Sequence, residues 1–317
     1  MINRKSLIVF LAALAVSCGQ GKKAEQFKAL PFPECMPPGM LEDPMDRAEY
    51  VAEHYWDGIT DPSRTYPSDS LLVSGVRKTD IEQKFADWTS VLDMISFQKA
   101  EKAVSRLYDR ALVCERENST SNVFETFTEL SYKYLYDPNS PVRNEDYYNA
   151  FVRKLALYEG ISPEMKGKYE REARMSALNR TGTVAADFRF TDKEGRTYNL
   201  HGIKAPLTLL FFSNPGCNAC MNIINVLKDE PAIASMIASG EMAVLNIYID
   251  EDLQGWRDYM PIYPGEWYNG FDPDLAIRTE NLYDVRAIPS LYLLDEEKRV
   301  ILKDAPENRL FNLLLSR

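Results

Sequence analysis

Histidine and cysteine are scarce in this chain of 317 residues. The two histidines, His54 and His201, lie far apart in the sequence. The five cysteines form one Cys-x-x-Cys pair and no second one. A structural zinc site needs four such ligands, usually at close spacing. The sequence therefore predicts no metal site, and it contains no pattern that indicates a bound cofactor.

Dense basic clusters and long apolar runs are also missing. The 37 lysines and arginines are outnumbered by 47 aspartates and glutamates, which gives a formal net charge of −10. Nucleic-acid binding and electrostatic adhesion to anionic lipid both depend on basic surfaces. The apolar run from Leu7 to Val16 is shorter than the roughly 20 residues that a helix needs to cross a bilayer. We therefore expect no nucleic-acid partner and no membrane-spanning helix.

The N-terminal residues are typical of an export signal. Arg4 and Lys5 precede the apolar run, and small residues follow it, which predicts a signal peptide over residues 1–17. The segment Ala15-Val16-Ser17-Cys18 resembles the lipobox of bacterial lipoproteins, which implies cleavage before Cys18 and acylation of that cysteine. The alternative is an ordinary signal peptide that leaves a free thiol. We expect residues 18–34 to be a tether, because the first part of this segment is polar and has few apolar side chains that could pack against a domain.

Residues 35–180 have helical apolar spacing almost throughout, which predicts an all-α helical bundle domain of about six helices. Asp43 is expected to cap the first helix, and Thr79 with Glu82 forms the pattern of a capping box for the second. The aromatic residues on these apolar stripes are predicted to be core, and the alternative is a docking face for a partner. No residue pattern in this domain indicates catalysis, so its function is unknown.

Cys35 and Cys114 both fall in the helical domain, and two interpretations stay open. In an oxidising compartment they can form a disulfide that stabilises the fold by about 2–4 kcal/mol. Alternatively Cys114, which lies on an apolar stripe, is a buried free thiol.

Residues 183–317 alternate strand and helix patterns, which predicts an α/β domain. A hairpin is expected near Phe188–Phe190 and Thr197–Leu200. The further predicted strands are Leu207–Phe212, Ala243–Ile249, Leu291–Leu294 and Val300–Lys303. The predicted helices are Cys217–Lys228, Leu253–Tyr259, Leu275–Tyr283 and Asn308–Leu315.

The motif Cys217-Asn218-Ala219-Cys220 lies between a predicted buried strand and a predicted helix. A thiol attacks a disulfide only as the thiolate, and the unpaired N–H groups of a helix N-terminus stabilise that anion. Cys217 is therefore expected to be the nucleophile and Cys220 the resolving thiol. A structural disulfide and half of a zinc site are the alternatives.

The chain resembles the TlpA/ResA type of thioredoxin-fold thiol-disulfide oxidoreductases, and three segments in combination carry this resemblance. These segments are Ala186-Asp187-Phe188 with the following hairpin, the strand that leads to the Cys-x-x-Cys motif, and Ala287-Ile288-Pro289-Ser290. The resemblance implies a thioredoxin-like fold for residues 183–317. It also implies a cis peptide bond at Pro289, where the backbone of Ile288 would pair with an extended substrate segment.

The sequence departs from this family at two positions that normally hold an acid. Phe211 replaces the buried acid of thioredoxins, and Ile223 replaces a glutamate of the ResA-like group. The usual proton acceptor for Cys220 is therefore missing, which predicts slow turnover or a dedicated partner. The aromatic residues of segment 261–271 are expected to form either a wall beside the dithiol or an ordinary crossover loop.

Together these patterns predict an exported thiol-disulfide oxidoreductase that reduces protein or peptide disulfides through Cys217 and Cys220. It would face the periplasm of a bacterial cell envelope, attached only by lipid at Cys18, and would receive electrons from a membrane or envelope donor. The main alternative is a redox-inactive thioredoxin-fold module that holds a partner protein. Peroxide reduction is a weaker alternative, because the Thr/Cys and Arg pocket of such enzymes is not found.

Overall fold

The computed structural model describes residues 28–64, 66, 70–118 and 120–317. The predicted signal peptide over residues 1–17, Cys18 and most of the predicted tether lie outside these residues. Residues 28–34, the end of that predicted tether, lie against the helical domain. Leu30 N donates to Gly75 O over 2.8 Å, and Phe32 packs against the helical core.

Six α-helices form the first part of the described chain, as the apolar spacing predicted. Their bounds are Pro44–His54 (α1), Lys78–Leu92 (α2), Phe97–Glu117 (α3), Val123–Ser131 (α4), Glu145–Leu155 (α5) and Pro163–Ser176 (α6). A π-helical turn, Tyr132–Tyr136, continues α4, and a short hairpin of Leu72–Val73 (β1) and Val76–Arg77 (β2) precedes α2. Among the described residues, no helix has both the length and the apolar character to cross a membrane.

Aromatic side chains form the centre of the helical domain. Trp88 is fully buried and its Nε1 donates to Ala52 O over 2.9 Å, while Trp56 packs edge-on against Phe127. These contacts confirm that aromatic residues of the apolar stripes belong to the core. Pairing an indole N–H with a backbone carbonyl removes the cost of burying that donor.

The N-terminus of α1 was predicted correctly and that of α2 was not. Asp43 accepts from Met45 N and Asp46 N. Helix α2 begins at Lys78, with Arg77 as its N-cap residue and no side-chain cap, so the predicted capping box of Thr79 and Glu82 was wrong. The reason is that β2 runs directly into the helix, and Lys78 N donates to Leu71 O across the hairpin.

Residues from 183 onward form an α/β domain. The strands are Arg189–Asp192 (β3), Thr197–Asn199 (β4), Leu207–Phe212 (β5), Met242–Tyr248 (β6), Tyr268–Phe271 (β7), Ser290–Leu294 (β8) and Val300–Leu302 (β9). The helices are Asn218–Asp229 (α7), Pro231–Ala238 (α8), Leu253–Tyr259 (α9), Ala276–Thr279 (α10) and Glu307–Leu315 (α11), with 3-10 turns at Leu200–Gly202 and Met260–Ile262.

The seven strands form one mixed sheet in the order β4-β3-β7-β6-β5-β8-β9. Strands β5, β6 and β7 are parallel to one another, and β8 is antiparallel to β5. Helix α8 and strand β7 were not predicted, and α10 ends before the predicted Tyr283 because Asn281 adopts a left-handed conformation (φ 52°).

The central sheet separates two apolar clusters. One cluster contains Cys220, Leu209 and Phe211 with residues of α7, α8 and α11. The other contains Leu210, Phe212 and Tyr292 with residues of the β3–β4 region. Strand β5 contributes to both faces and is buried over its whole length, which explains its unbroken apolar sequence. The chain therefore has the predicted order, an all-α domain followed by an α/β domain, and the second domain has the predicted central sheet.

Candidate active site

The two motif cysteines lie where β5 ends and α7 begins. Cys217 is the N-cap residue of α7, and its Sγ accepts from Cys220 N over 3.1 Å. The two residues form a disulfide with a Cα–Cα distance of 5.2 Å. The sulfur of Cys217 therefore occupies the place where a helix N-terminus offers an unpaired N–H group and the positive end of its dipole.

The two sulfurs differ in how far solvent reaches them. Cys217 is half-buried and is flanked by exposed Gly216 and Asn218. Cys220 is only 1% exposed and belongs to the apolar cluster of the sheet. Gly216 has a φ of +72°, which glycine adopts without the steric cost of a side chain. An incoming disulfide can thus reach Cys217 from solvent, while Cys220 can reach only Cys217.

The Ile288–Pro289 segment leads into β8, whose first residue, Ser290, is opposite Phe212 at the end of β5. Its peptide bond is cis, as predicted from the resemblance. Ile288 is partly buried and packs against the apolar cluster that contains Cys220, and it also packs against the cluster on the other face of the sheet. Cys217 and Ile288 thus both pack against the apolar cluster that contains Cys220, and the role of Ile288 in substrate pairing stays a prediction. Cys18, the predicted lipidation site, lies outside the described residues.

The groups beneath the disulfide are neutral. Phe211 and Ile223, at the two positions where acids were expected from the family pattern, are fully buried in the cluster with Cys220. On the same face of the sheet, Asn246 accepts a hydrogen bond from the Ser213 hydroxyl and donates to Asn269 Oδ1 over 2.9 Å. Amides and hydroxyls of this kind do not accept a proton at neutral pH.

Tyr263 completes this neutral group. Its side chain is 6% exposed and belongs to the cluster that contains Cys220, and burial raises the pKa of its phenol above the ordinary value. Trp267 is buried in the same cluster. These two residues of segment 261–271 are therefore core residues of the cluster that contains Cys220, and β7 ends the segment as a strand of the sheet.

A polar contact at the rim of the site was not predicted. Asn214, three residues before Cys217, donates through Nδ2 to Asp250 Oδ2 over 2.8 Å, and Arg278 Nη1 lies 2.6 Å from Asp250 Oδ1. These contacts hold the turn before the first cysteine against the end of β6. Nothing in the sequence signals this contact, because its members lie far apart in the chain: two in loops and Arg278 in α10.

The other described cysteines and the two histidines have contacts of their own. Cys35 and Cys114 are both free, and burial raises the pKa of each thiol. Nδ1 of His54 lies 2.8 Å from Asp57 Oδ2, and Nε2 of His201 lies 2.8 Å from Ala185 O. In the described part of the chain, no three histidine, cysteine or acidic residues form a group able to hold a metal ion.

Comparison with known proteins gave matches to both domains. Residues 16–179 match the family described as a domain of unknown function (DUF5106). A thioredoxin-like protein from Bacteroides caccae has a similar structure with a TM-score of 0.77 and 34% sequence identity, and the match covers 92% of this chain and 100% of that chain. A search of curated proteins gave no match.

Two further solved structures from Bacteroides fragilis match part of this chain. One is the C-terminal domain of an uncharacterized protein, at 44% identity and a TM-score of 0.42, covering 43% of this chain and 98% of that chain. The other is a conserved protein of unknown function, at 38% identity and a TM-score of 0.42, with the same coverage of each chain. The similarity to the Bacteroides caccae protein extends over both domains and confirms the thioredoxin-like fold of the second.

Proposed function

The chain belongs to the DUF5106 family and to the thioredoxin-like proteins, and on that premise we propose that it is an exported thiol-disulfide oxidoreductase that reduces protein or peptide disulfides. The observation that carries the proposal is the position of the Cys217–Cys220 pair at the N-terminus of α7, with one sulfur accessible and the other buried. Helix N-termini and Cys-x-x-Cys motifs lower the pKa of a thiol to between about 3.5 and 7.5.

Reduction of a substrate proceeds in two exchanges. The Cys217 thiolate attacks one sulfur of the substrate disulfide, forming a mixed disulfide and releasing the other substrate sulfur as a thiolate that takes up a proton. Cys220 then loses its proton and attacks Cys217 Sγ, which forms the Cys217–Cys220 disulfide and releases the second substrate thiol. The substrate gains two electrons and the dithiol loses two. An envelope dithiol donor must then reduce the protein for another turnover.

The groups around Cys217 and Cys220 have different roles in the proposed reaction. In this scheme the helix N-terminus stabilises the Cys217 thiolate, and the backbone of Ile288, which precedes the cis bond at Pro289, pairs with an extended substrate segment. No acid occupies position 211 or 223, so in this scheme the proton of Cys220 leaves through water, the departing substrate thiolate or an acid elsewhere in the chain. We therefore expect the second exchange to limit turnover near neutral pH.

The proposed setting of the reaction is the bacterial cell envelope. The signal-like residues 1–17 and the lipobox-like segment ending at Cys18 support export and a lipid anchor facing the periplasm. Its proposed partners are protein or peptide disulfides and a membrane or envelope electron donor. A palmitate-labelling experiment on cells producing the protein, with Cys18→Ala as the control, tests the anchor.

Substitution of each motif cysteine tests the reaction. Cys217→Ser should abolish reduction of a disulfide-bonded peptide, whereas Cys220→Ser should retain the first exchange and accumulate mixed disulfides, which mass spectrometry detects. Activity of both variants equal to that of the parent protein would overturn the proposal. So would an absence of mixed disulfide in Cys220→Ser together with unchanged turnover.

A redox-inactive binding module is the second candidate, and the neutral surroundings of Cys220 favour it. In that case the disulfide would resist exchange, and the fold would hold a partner protein. The double variant Cys217→Ser/Cys220→Ser separates the two candidates. A partner retained by the double variant, with no exchange by the parent protein, would support the binding module.

A further inference from the structure

A buried ionic cluster joins the two domains. Glu145, the first residue of α5, and Asp304, which follows β9, are both nearly inaccessible to solvent. Both acids contact Arg286, and Arg143 and Lys303 lie beside them. The cluster therefore contains groups from the helical domain and from the α/β domain. Removing one member of such a group leaves a buried charge without its partner.

Arg286 is the centre of this cluster. Its Nε and Nη2 donate to Glu145 Oε1 over 3.1 and 2.5 Å, and its Nη2 lies 3.3 Å from Asp304 Oδ2. The guanidinium also lies 3.8 Å from the centroid of the Tyr136 ring and donates to the Tyr136 carbonyl. Arginine presents a rigid fork of donors, so contacts on several sides fix the orientation of its side chain.

Further contacts surround these groups. Lys303 Nζ lies 2.9 Å from Glu145 Oε2, and Arg143 Nε lies 3.4 Å from Asp304 Oδ2. Asp284 Oδ2 accepts from Tyr136 OH over 3.0 Å. Arg143, Arg286 and Lys303 thus face Glu145, Asp284 and Asp304, so the formal charges balance when all six groups are ionised.

The cluster lies next to the candidate active site in sequence and in space. Arg286 is three residues before Pro289, and Asp304 directly precedes Ala305, whose backbone contacts β8 two residues after Pro289. Ala305 N donates to Leu291 O over 3.0 Å. The segment that carries Ile288 is therefore held on one side by a group whose main anchor, Glu145, belongs to the helical domain.

We propose that Glu145 is a positioning residue of the dithiol site, which through Arg286 holds the Ile288–Pro289 segment where an extended disulfide substrate binds. This proposal rests on the proposed function. It gives the helical domain a part in substrate binding, although none of its residues touches the reacting sulfurs in this scheme. A segment that is free to move would have to be ordered when substrate binds, which weakens binding.

The neighbouring Asp146 provides a matched control. Glu145 and Asp146 are consecutive, and each is about 1% exposed. Asp146 also pairs with an arginine, Arg180, and accepts from Thr181 N over 3.0 Å. Its partners lie in the connection between the domains rather than in the segment before Pro289. A general loss of interdomain contact should therefore affect Asp146→Asn and Glu145→Gln alike.

The test compares two substrates in the protein with both domains. For Glu145→Gln we expect the KM for a disulfide-bonded peptide to rise about tenfold, with kcat changed by less than about twofold. Exchange of the reduced dithiol with a small aryl disulfide, which needs no pairing with Ile288, should be unchanged. Glu145→Asp, which retains the charge, should recover part of the KM, and Asp146→Asn should behave as the parent protein.

Arg286→Lys covers the case in which Glu145→Gln does not fold, because it keeps the cation and removes the fork of donors. It should raise the same KM. An equal KM in Glu145→Gln and Asp146→Asn, or an equal loss with both substrates, would overturn the positioning role alone. A parent protein inactive with both substrates would instead overturn the proposed function on which it rests.

Discussion

The helical domain and the α/β domain each contain two of the described cysteines, in contrasting settings. Cys35 lies in the extended segment before α1 and Cys114 is buried on α3, and neither is bonded. Cys217 and Cys220 lie at the start of a helix and are bonded to each other. All four share one side-chain chemistry, so the backbone around each thiol decides what it can do.

The contrast lies in what surrounds each sulfur. Burial and the carboxylates of Asp57 and Glu34 raise the pKa of the Cys35 thiol, and burial raises that of Cys114. At Cys217 a backbone N–H points at the sulfur. The first environment favours the neutral thiol and the second favours the thiolate.

The largest effect that we predict concerns the cores of the two domains. Trp88→Ala should lower the free energy of unfolding by about 3–5 kcal/mol, because it removes a fully buried indole and its hydrogen bond to Ala52 O. Trp256→Ala, a matched change at a residue 1% exposed in the α/β domain, should cost a similar amount. Urea titration followed by circular dichroism measures both. A loss below about 1 kcal/mol for Trp88→Ala would contradict the packed aromatic core.

The second prediction sharpens the contrast between the thiols. In the reduced protein at pH 7, iodoacetamide should alkylate Cys217 about 100-fold faster than Cys35 or Cys114. Raising the pH should speed the reaction of Cys35 and Cys114 more than that of Cys217, because their raised pKa values leave them protonated at neutral pH. Peptide mass spectrometry gives each rate.

Cys217→Ser is the control for this measurement, since it should leave the rates at Cys35 and Cys114 unchanged. Equal alkylation rates at all three positions would remove the physical basis for treating Cys217 as the nucleophile.

The third prediction concerns the ionic cluster between the domains. Burial, with the nearby charge of Glu145, raises the pKa of Asp304 to about 6, although Arg143 and Arg286 oppose the shift. The folded protein therefore binds more protons than the unfolded chain between about pH 4 and 6, so this carboxyl makes stability fall as the pH rises through that window. We expect the fall attributable to Asp304 to be about 1–3 kcal/mol.

Asp304→Asn should remove this fall, which urea unfolding at several pH values measures against the parent protein. Glu266→Gln, a change at an exposed carboxylate, should keep the parent profile. An Asp304→Asn profile parallel to that of the parent across the whole window would show that Asp304 does not titrate there.

Local patterns predicted the elements that carry the dithiol. The apolar run Leu207–Phe212 matches β5 residue for residue, and α7 begins one residue after the expected position. Both signals are local, since a buried strand needs a continuous apolar run and a helix start needs a suitable capping residue. The cis bond before Pro289 was predicted from family resemblance rather than from a local pattern.

Features that depend on distant residues were missed. Strand β7 has aromatic residues and a glycine in a short segment, and it exists because it pairs with β6, where Ile247 is opposite Gly270. The ionic cluster of Glu145, Arg286 and Asp304 gave no signal, because charged residues far apart in sequence resemble any solvated surface residues. The fold of the α/β domain brings Arg286 to Asp304, and the packing of the helical domain on it adds Glu145.

The connection between the domains has a practical consequence for any shortened form of the protein. Asn179 donates to Leu282 O over 2.7 Å and accepts from Ala186 N over 2.8 Å, while Lys303 Nζ donates to Ser176 O over 2.6 Å. A fragment starting after residue 182 would lose Ser176 and Asn179 together with Glu145. It would expose to water a face bearing Arg286 and Lys303 that the whole chain keeps covered, so its behaviour would not represent that of the intact molecule.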